Sequence, residues 1–235
     1  MIKAAILVDG GYLLKRLPTV RPDVDAMDPT DVARSIGELA RGHLNRLNEV
    51  YRAPNASRLL YRVFYYDARP LLGKAHTPVD HRPIDYAQTT QGLFRKRLFN
   101  ALRDVPNLAV RLGEVRRDGD RSWLLKARPQ QRLLEGKLVA GELTDADFVP
   151  ALRQKGVDMR IGLDIASITL KRQAGVIVLV SGDADFVPAA KLARREGVQF
   201  VLDPLWQGVS SDLREHIDGL RSGFPKPARP NAPFA

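Results

Sequence analysis

The sequence predicts an α/β domain with a central, mostly parallel sheet, and residues 158–202 carry the clearest signal. The short apolar run Val176–Val180 is typical of a buried strand, and Val198–Leu202 resembles it. Between them, Phe186–Arg195 has the apolar spacing of a helix, which ends at Gly197. A helix that joins two buried strands is the connection that parallel pairing requires. This alternation therefore favours the α/β class.

The amino-terminal half adds elements of the same kind. Ala4–Val8 is an apolar run that stops at Asp9, and Leu59–Tyr66 is a second strand rich in aromatic and branched residues. Asp28 is a typical helix cap, because helically spaced apolar residues follow it. Tyr86–Leu102 returns to helical spacing. Strands and helices thus alternate along most of the chain.

Two further segments carry turn signals. Arg69–Pro83 is rich in proline and is predicted to be a loop or lid rather than a regular element. Leu108–Val115 has strand character, an Asp-Gly turn signal follows at 118–119, and Ser122–Lys126 can return as a second strand. The pattern predicts a basic hairpin over 108–126. Such a hairpin would serve as an added grip on substrate or as a contact in a homo-oligomer.

Composition and charge narrow the class of protein. The 235 residues include 37 Lys and Arg against 27 Asp and Glu, a formal net charge of +10, and no cysteine. Residues 91–140 hold 12 of the basic and 5 of the acidic residues, so a polyanion is a natural partner. The lack of cysteine excludes disulfides, thiolate metal sites and cysteine nucleophiles.

The same survey gives expectations for location and domain limits. No apolar stretch is long enough to span a bilayer, and Asp9 interrupts the first apolar run before a signal-peptide core forms. We therefore expect a cytoplasmic protein with no membrane partner. Residues 1–221 are expected to form one domain, and the proline-rich residues 222–235 a disordered tail.

The heptapeptide DADFVPA occurs twice, at Asp145–Ala151 and at Asp183–Ala189. A buried strand precedes the second copy, whereas the polar stretch Gly141–Thr144 precedes the first. Because the flanks differ, we interpret the match as coincidence rather than duplication, with an Asp starting a helix or turn in each copy. Only the second copy has the setting of an active site.

Acidic residues follow two of the predicted strands. Asp9 comes directly after Ala4–Val8, and Asp183 and Asp185 follow Val176–Val180. In an open parallel sheet, ligands bind beyond the carboxyl ends of the strands, so these side chains converge if the two strands are neighbours. Clustered carboxylates repel one another unless a cation neutralises them. Oxygen ligands of this kind, without cysteine or a histidine motif, favour Mg²⁺ or Mn²⁺.

The helix predicted over Arg160–Arg172 brings two further acids. Asp164 stands among apolar residues, so its carboxylate needs a site role or a hydrogen-bond partner. Asp158 lies about 240° from Asp164 on a continuous helix, so both reach one site only if Asp158 lies at or before the helix start. Each single acid also has a structural role open to it, since Asp9 can shape a turn and Asp183 can cap a helix. Asp67, at another strand end, is a further candidate.

Three segments of the chain resemble the signatures of the NYN domain family, PIN-like nucleases that include the LabA-type bacterial proteins. The segments are VDGGYL at Val8–Leu13, QKGVDMRIGLDIA at Gln154–Ala166 and VLVSGDADFVP at Val178–Pro188. The resemblance implies a PIN-like three-layer α/β/α sandwich and metal-dependent cleavage of RNA.

By this resemblance, acidic residues hold Mg²⁺ or Mn²⁺ at the site. The catalytic acids and direct metal ligands would be Asp9, Asp158 and Asp183. Asp164 stands where PIN-like proteins place an acid in the helix, and Asp185 joins the metal site in support. The choice of RNA over DNA comes from the resemblance, because the metal chemistry is the same for both.

Basic and aromatic side chains are candidate contacts for such a substrate. Basic side chains position phosphates without reading sequence. The predicted nucleic-acid contacts are Arg95, Lys96, Arg97, Arg116, Arg117, Arg121 and Lys155. Tyr12, Tyr65, Tyr66 and Trp123 can each stack on a base, although aromatic residues in strands more often belong to the core.

Three other functions fit parts of the pattern. A catalytically weak RNA-binding or regulatory module on the same fold would bind RNA without metal-dependent turnover. A phosphatase with Asp9 as nucleophile is disfavoured, because Gly11 stands where the haloacid-dehalogenase-like pattern has a second Asp. A nucleotide-binding Rossmann domain is disfavoured too, because no further phosphate-cradling glycine pattern follows the first turn.

Overall fold

Strands and helices alternate along the chain. The computed structural model describes residues 2–119 and 122–227. The strands are β1 (Ala4–Asp9), β2 (Leu60–Arg69), β3 (Lys74–His76), β4 (Pro83–Asp85), β5 (Leu108–Arg117), β6 (Trp123–Leu125), β7 (Phe148–Pro150), β8 (Leu152–Lys155), β9 (Val176–Val180), β10 (Gln199–Asp203) and β11 (Gly219–Leu220). The helices are α1 (Gly10–Val20), α2 (Pro29–Tyr51), α3 (Thr90–Arg103), α4 (Ala127–Leu134), α5 (Val157–Leu170), α6 (Val187–Arg195) and α7 (Ser211–Glu215). No helix within the described ranges is both long enough and apolar enough to cross a lipid bilayer.

The strand order of the main sheet is β11-β10-β9-β1-β2-β5-β8. β1 pairs in parallel with both β2 and β9, and β10 pairs in parallel with both β9 and β11. The last part of β5 pairs antiparallel with β8. The predicted fold class, an α/β sandwich of the PIN-like type with a mostly parallel sheet, is confirmed.

The chain groups into two compact units. The larger unit consists of residues 2–67, 97–112 and 156–227 within the described chain, and the smaller unit of residues 68–96 and 113–155. The smaller unit lies within the stretch 1–221 expected to form one domain, and the larger unit extends beyond it to residue 227.

The core of the larger unit is built on the central strands. Every residue of Ala4–Val8 and Val176–Val180 is buried, as continuous apolar runs require when both faces of a parallel sheet are covered. On α2, Val32, Ile36 and Leu39 are fully buried at helical spacing. The predicted cap of this helix is confirmed, because the carboxylate of Asp28 accepts the backbone N–H of Thr30 at 2.7 Å.

The turn from β1 into α1 depends on the small size of Gly10. A Cβ atom at this position would lie 2.5 Å from the Tyr65 ring and 2.6 Å from the backbone oxygen of Tyr66, both on β2. Real Cβ atoms do not come this close to backbone atoms, so a larger residue would push α1 away from the sheet. Gly10 therefore allows the chain to leave the strand directly after Asp9.

The smaller unit is held together by short antiparallel ladders. β3 pairs with β4, and β6 pairs with β7. The Asp145 carboxylate anchors the connection between β3 and β4: it accepts the backbone N–H of Val79 at 2.9 Å and pairs with the Arg82 guanidinium at 2.9 Å. The segment predicted as a loop or lid over Arg69–Pro83 thus contains β3 and the first residue of β4.

Within the described residues, the two strands expected to form a hairpin over 108–126 pair with other strands. β6 pairs with β7, about 25 residues further along the chain, and the end of β5 pairs with β8. Asp118 donates its backbone N–H to the oxygen of Ala151 at 2.8 Å. β7 and β8, from residues 148–155, thus pair with the two strands that were expected to pair with each other. The Asp-Gly signal marks a turn but does not determine which strands pair.

The segment expected to be a disordered tail over 222–235 is described only as far as residue 227, and residues 228–235 lie outside the described residues. Phe224 is buried, and the N–H of Gly223 donates to Asp203 Oδ2 at 2.8 Å. Asp203 is fully buried at the end of β10, where its Oδ2 also pairs with His43 Nε2 at 2.7 Å and its Oδ1 accepts the N–H of Leu205. This carboxylate is therefore committed to structure.

We expect Gly10→Ala to lower the free energy of unfolding by about 1–3 kcal/mol, because the added methyl group overlaps β2. The matched variant is Gly37→Ala in the middle of α2, where a Cβ atom meets nothing within 4 Å. That substitution should raise the free energy of unfolding by about 0.5–1 kcal/mol, because alanine favours helix over glycine. Urea unfolding of both variants checks this; equal stability changes would contradict the steric role of Gly10.

Candidate active site

The ends of two neighbouring strands supply the first acids. β1 and β9 are paired in parallel with Val8 opposite Val180, so both strands end at the same edge of the sheet. Asp9 is the last residue of β1, and Asp183 follows β9 by three residues. The two strands are therefore neighbours, as convergence of their acids requires.

Asp9 is half-buried and held by two hydrogen bonds. Its Oδ1 accepts the backbone N–H of Tyr12 at 3.0 Å, so the side chain caps α1. Burial raises the pKa of Asp9 to about 6; the backbone N–H groups of Tyr12 and Gly11 lower it, and the negative charges of Asp158 and Asp67 raise it. Asp9 thus combines a structural cap with a carboxylate whose charge is disfavoured.

Ser181 joins the two strand ends. Its buried hydroxyl donates to Asp9 Oδ2 at 3.4 Å and accepts the backbone N–H of Asp183 at 3.3 Å. Asp183 itself is exposed, and its Oδ1 accepts the N–H of Asp185 at 3.0 Å, which caps the short 3₁₀ turn Ala184–Phe186. Sequence reasoning missed Ser181, although it lies in the segment Val178–Pro188 that carries the family resemblance.

Asp158 lies in the first turn of α5. This helix begins at Val157, three residues earlier than predicted, directly after Gly156 in the left-handed conformation with φ of 77°. Asp158 therefore sits at the helix start, as a shared site requires. Its pKa is raised by burial and by the negative charges of Asp183 and Asp185. Electrostatic repulsion thus links Asp158 both to Asp9 and to the acids after β9.

Asp164 lies further along α5 and has hydrogen-bond partners. Its Oδ2 accepts the Tyr66 hydroxyl at 2.8 Å and the Arg111 Nε at 3.3 Å. Tyr66 stands opposite Asp9 in the pairing of β1 with β2, and burial followed by the charge of Asp164 raises its pKa. Sequence reasoning did not find Arg111. The Asp164 carboxylate thus has the hydrogen-bond partners that it needs among apolar residues.

The three candidate stacking tyrosines are all packed in the larger unit. Tyr65 and Tyr66 are fully buried. The Tyr12 hydroxyl donates to the Pro204 oxygen at 2.6 Å, and burial raises its pKa to about 12, so the hydroxyl stays protonated near neutral pH. A Cβ atom at Gly182 would lie 2.9 Å from the Tyr12 ring, so this ring covers the turn after β9. These tyrosines belong to the framework of the site.

The predicted nucleic-acid contacts differ in exposure. Lys96 and Arg97 on α3, Arg116 and Arg117 on β5, and Lys155 at the end of β8 are exposed. Arg95 is only 8% exposed, which argues against a simple surface contact with phosphate. Arg116 pairs with Glu114 at 2.7 Å, and Arg121 lies outside the described residues.

The acids have the right chemistry for a metal but are not assembled around one. Within residues 2–119 and 122–227, no three histidine or acidic side chains stand close enough together to hold an ion. The donors linked by repulsion, Asp9, Asp158, Asp183 and Asp185, are carboxylates, which are the ligands that Mg²⁺ and Mn²⁺ accept. The donor chemistry therefore fits a divalent cation.

Comparison with known families relates the second half of the chain to a known domain. The NYN domain model matches residues 125–220, which include the segments Gln154–Ala166 and Val178–Pro188 but not Val8–Leu13. This match confirms the predicted relation to the NYN domain family. The domain indicates a nuclease-like fold and an RNA-related function.

Comparison with individual proteins adds little. No curated protein matches the chain. A protein of unknown function from Vibrio parahaemolyticus is 17% identical, with 95% of each chain covered and a TM-score of 0.43. The Sir2Tm protein bound to a propionylated peptide is 11% identical, with 93% of this chain and 86% of that chain covered and a TM-score of 0.35. Similarities at this level carry no information about function.

We expect Asp9→Asn to stabilise the protein more at pH 8 than at pH 5. Because the pKa of Asp9 is raised from 3.8 to about 6 on folding, the folded state binds more protons than the unfolded state between these values. In the wild type, the stabilisation that comes from the raised pKa of Asp9 is complete below about pH 4 and is lost as the pH rises through about 6. The neutral variant escapes this loss, so its advantage over the wild type should grow by about 1 kcal/mol between pH 5 and pH 8.

Urea unfolding in EDTA measures this difference. Asparagine keeps an oxygen for the Tyr12 N–H, so the cap itself is retained. Asp104→Asn, at an exposed position directly after α3, is the control, and its stability relative to the wild type should stay constant between the two pH values. A constant difference between Asp9→Asn and the wild type at both pH values would show that Asp9 titrates normally.

Proposed function

We propose that the protein is a metal-dependent endoribonuclease. The observation that carries the proposal is the chain of repelling carboxylates at one sheet edge, in which Asp9 is linked to Asp158, and Asp158 to Asp183 and Asp185. Uncompensated repulsion of this kind costs stability, and a bound cation removes that cost. The NYN domain match over residues 125–220 supports nucleic acid as the substrate class.

Asp9, Asp158 and Asp183 are the proposed ligands, with Asp185 and Asp164 in support. When bound, Mg²⁺ or Mn²⁺ activates a water molecule and stabilises the charge that develops on the attacked phosphate. The exposed side chains of Asp158 and Asp185 can change rotamer, and Asp183 can do so by giving up the N–H of Asp185, whereas Asp9 is held on both oxygens. Asp9 therefore acts as the anchor of the ligand set.

The neighbouring residues hold these carboxylates in place. The Tyr12 N–H and the Ser181 hydroxyl orient the two oxygens of Asp9. The Tyr66 hydroxyl and Arg111 both donate to Asp164 Oδ2. Asp164 therefore acts as a supporting, positioning residue of the site. These contacts restrict the rotamers of Asp9 and Asp164 before substrate binds.

Exposed cations supply the contacts to the RNA backbone. Lys96, Arg97, Arg117 and Lys155 carry the positive charge that phosphates require, and such contacts contribute affinity without sequence preference. We expect RNA binding to weaken as the salt concentration rises, because binding releases counterions from the RNA.

The second candidate is an RNA-binding or regulatory module without catalysis. Two observations favour it: Asp164 and Asp183 are already engaged in hydrogen bonds within the chain, and the described acids form no ready metal-holding group. This candidate predicts salt-sensitive RNA binding with no metal-dependent turnover. The two experiments that follow separate it from the nuclease.

We expect the wild type to cleave labelled single-stranded RNA in Mn²⁺ or Mg²⁺, and EDTA to abolish cleavage. Asp9→Asn and Asp183→Asn should lower the rate by more than about 100-fold, since even residues that only orient metal ligands contribute roughly 10–100-fold. Gel analysis of matched RNA and DNA substrates measures both the rate and the substrate class.

Asp212→Asn serves as the matched control, because it makes the same chemical change at an exposed position on α7. Its cleavage rate should equal that of the wild type. A folded wild type that binds RNA but cuts none in either metal would replace the nuclease proposal with the binding module.

We expect saturating Mn²⁺ to raise the melting temperature of the wild type by roughly 5 °C, because ligand that binds only the folded state stabilises it. Asp9→Asn should show less than half of this increase, and Asp212→Asn all of it. Differential scanning calorimetry at pH 7.5 makes the measurement without any substrate. The same melting temperature with and without Mn²⁺ would argue against a metal site.

A further inference from the structure

The smaller unit contains a cavity of about 450 Å³ that the acidic site does not use. All the residues that line it belong to residues 68–96 and 113–155, so the cavity lies within this unit. Its volume is in the range of small-molecule sites. Leu71, Ile84, Val115 and Leu152 give it aliphatic walls.

Two aromatic side chains make the cavity suited to a flat guest. The indole of Trp123 is half-buried, and its Nε1 donates to the His76 oxygen at 3.1 Å, which fixes the plane of the ring. The ring of Tyr86 is 6% exposed and forms a second aromatic wall. Rigid aromatic surfaces of this kind stack on planar heterocycles at low entropic cost.

The polar groups of the cavity match the edges of a nucleobase. The side chains of Gln91 and Gln154 are exposed at the lining, and each amide offers both a donor and an acceptor. Arg95, one of the predicted nucleic-acid contacts, also lines the cavity and is buried. A guanidinium group donates to base oxygens and ring nitrogens or to phosphate.

The charge of the unit favours an anionic ligand. Residues 68–96 and 113–155 include 14 Lys and Arg against 9 Asp and Glu. Arg153 stands in the lining as well, paired with Asp118 at 2.7 Å. A nucleotide combines a planar base for the walls with a phosphate for the surrounding positive charge.

We propose that this cavity is a nucleobase-binding site. The base belongs either to a free nucleotide or to an unpaired position of single-stranded RNA. The aromatic walls, amides and arginines recognise the base in both cases. Only the binding of RNA rests on the proposed function.

Tryptophan fluorescence tests the site directly. Trp206→Phe leaves Trp123 as the sole tryptophan, so any change in emission reports on the cavity. We expect AMP, GMP, CMP or UMP in EDTA to quench this emission with a saturable curve. Ribose 5-phosphate and inorganic phosphate, which lack a base, should leave it unchanged. The proposal fails if neither the four nucleotides nor a short single-stranded oligoribonucleotide gives saturable quenching.

A cavity-filling variant adds a second, independent test. Val115→Phe, made in the Trp206→Phe background, places a larger side chain in the lining and should weaken nucleotide binding at least tenfold. Val149→Phe is the matched control, because Val149 lies on β7 of the same unit and does not line the cavity. Its affinity should stay within twofold. Equal affinities in both variants would place the nucleotide elsewhere and overturn the proposal.

The source of the base follows from the same titrations. Binding of an oligoribonucleotide at least tenfold tighter than that of mononucleotides, and lost in Val115→Phe, would identify RNA. Equal or tighter binding of mononucleotides would identify a free nucleotide, and the cavity would still bind a base. All binding is measured in EDTA, so a failure of metal-dependent cleavage leaves this result unaffected.

Discussion

The parallel pairing of β1 with both β2 and β9 is the constraint on which the acidic site depends. It brings the ends of three strands to one edge and places Tyr66 opposite Asp9. The close approach of Gly10 to β2 then lets α1 start at once, so that the N–H of Tyr12 reaches the Asp9 carboxylate. The side chain that caps the helix is therefore the same one that faces the other acids.

The acids at the strand ends differ in burial and in hydrogen bonding. Asp203 and Asp9 end two strands of the same sheet, yet Asp203 is fully buried with partners on both oxygens. Asp9 is only half-buried and accepts longer hydrogen bonds, at 3.0 and 3.4 Å. The charges of Asp158 and Asp67 also act against its ionised form. This unneutralised repulsion is the reason for proposing a cation at this edge of the sheet.

The smaller unit combines the local pairing of β3 with β4 and contacts between segments far apart in sequence. The ladder of β6 with β7 and the anchoring of Val79 and Arg82 on Asp145 join segments that are far apart in sequence. β6 and β7 contribute Trp123 and Pro150 to the lining of the cavity, in which the predicted nucleic-acid contact Arg95 is buried. The proposed nucleobase site exists only because these segments meet.

Local sequence was enough to predict the features that depend on residues close together in the chain. The buried runs Ala4–Val8 and Val176–Val180, the Asp28 cap and the acid at each strand end could all be read directly, because periodicity and capping are short-range effects. The repeated DADFVPA shows the limit. Both copies begin with a short 3₁₀ turn, but the first continues into β7, where β6 offers a pairing partner, and the second continues into α6. Identical residues diverge there because partners distant in the chain decide which backbone hydrogen bonds form. The same reason hid Ser181, Arg111 and the cavity from sequence analysis.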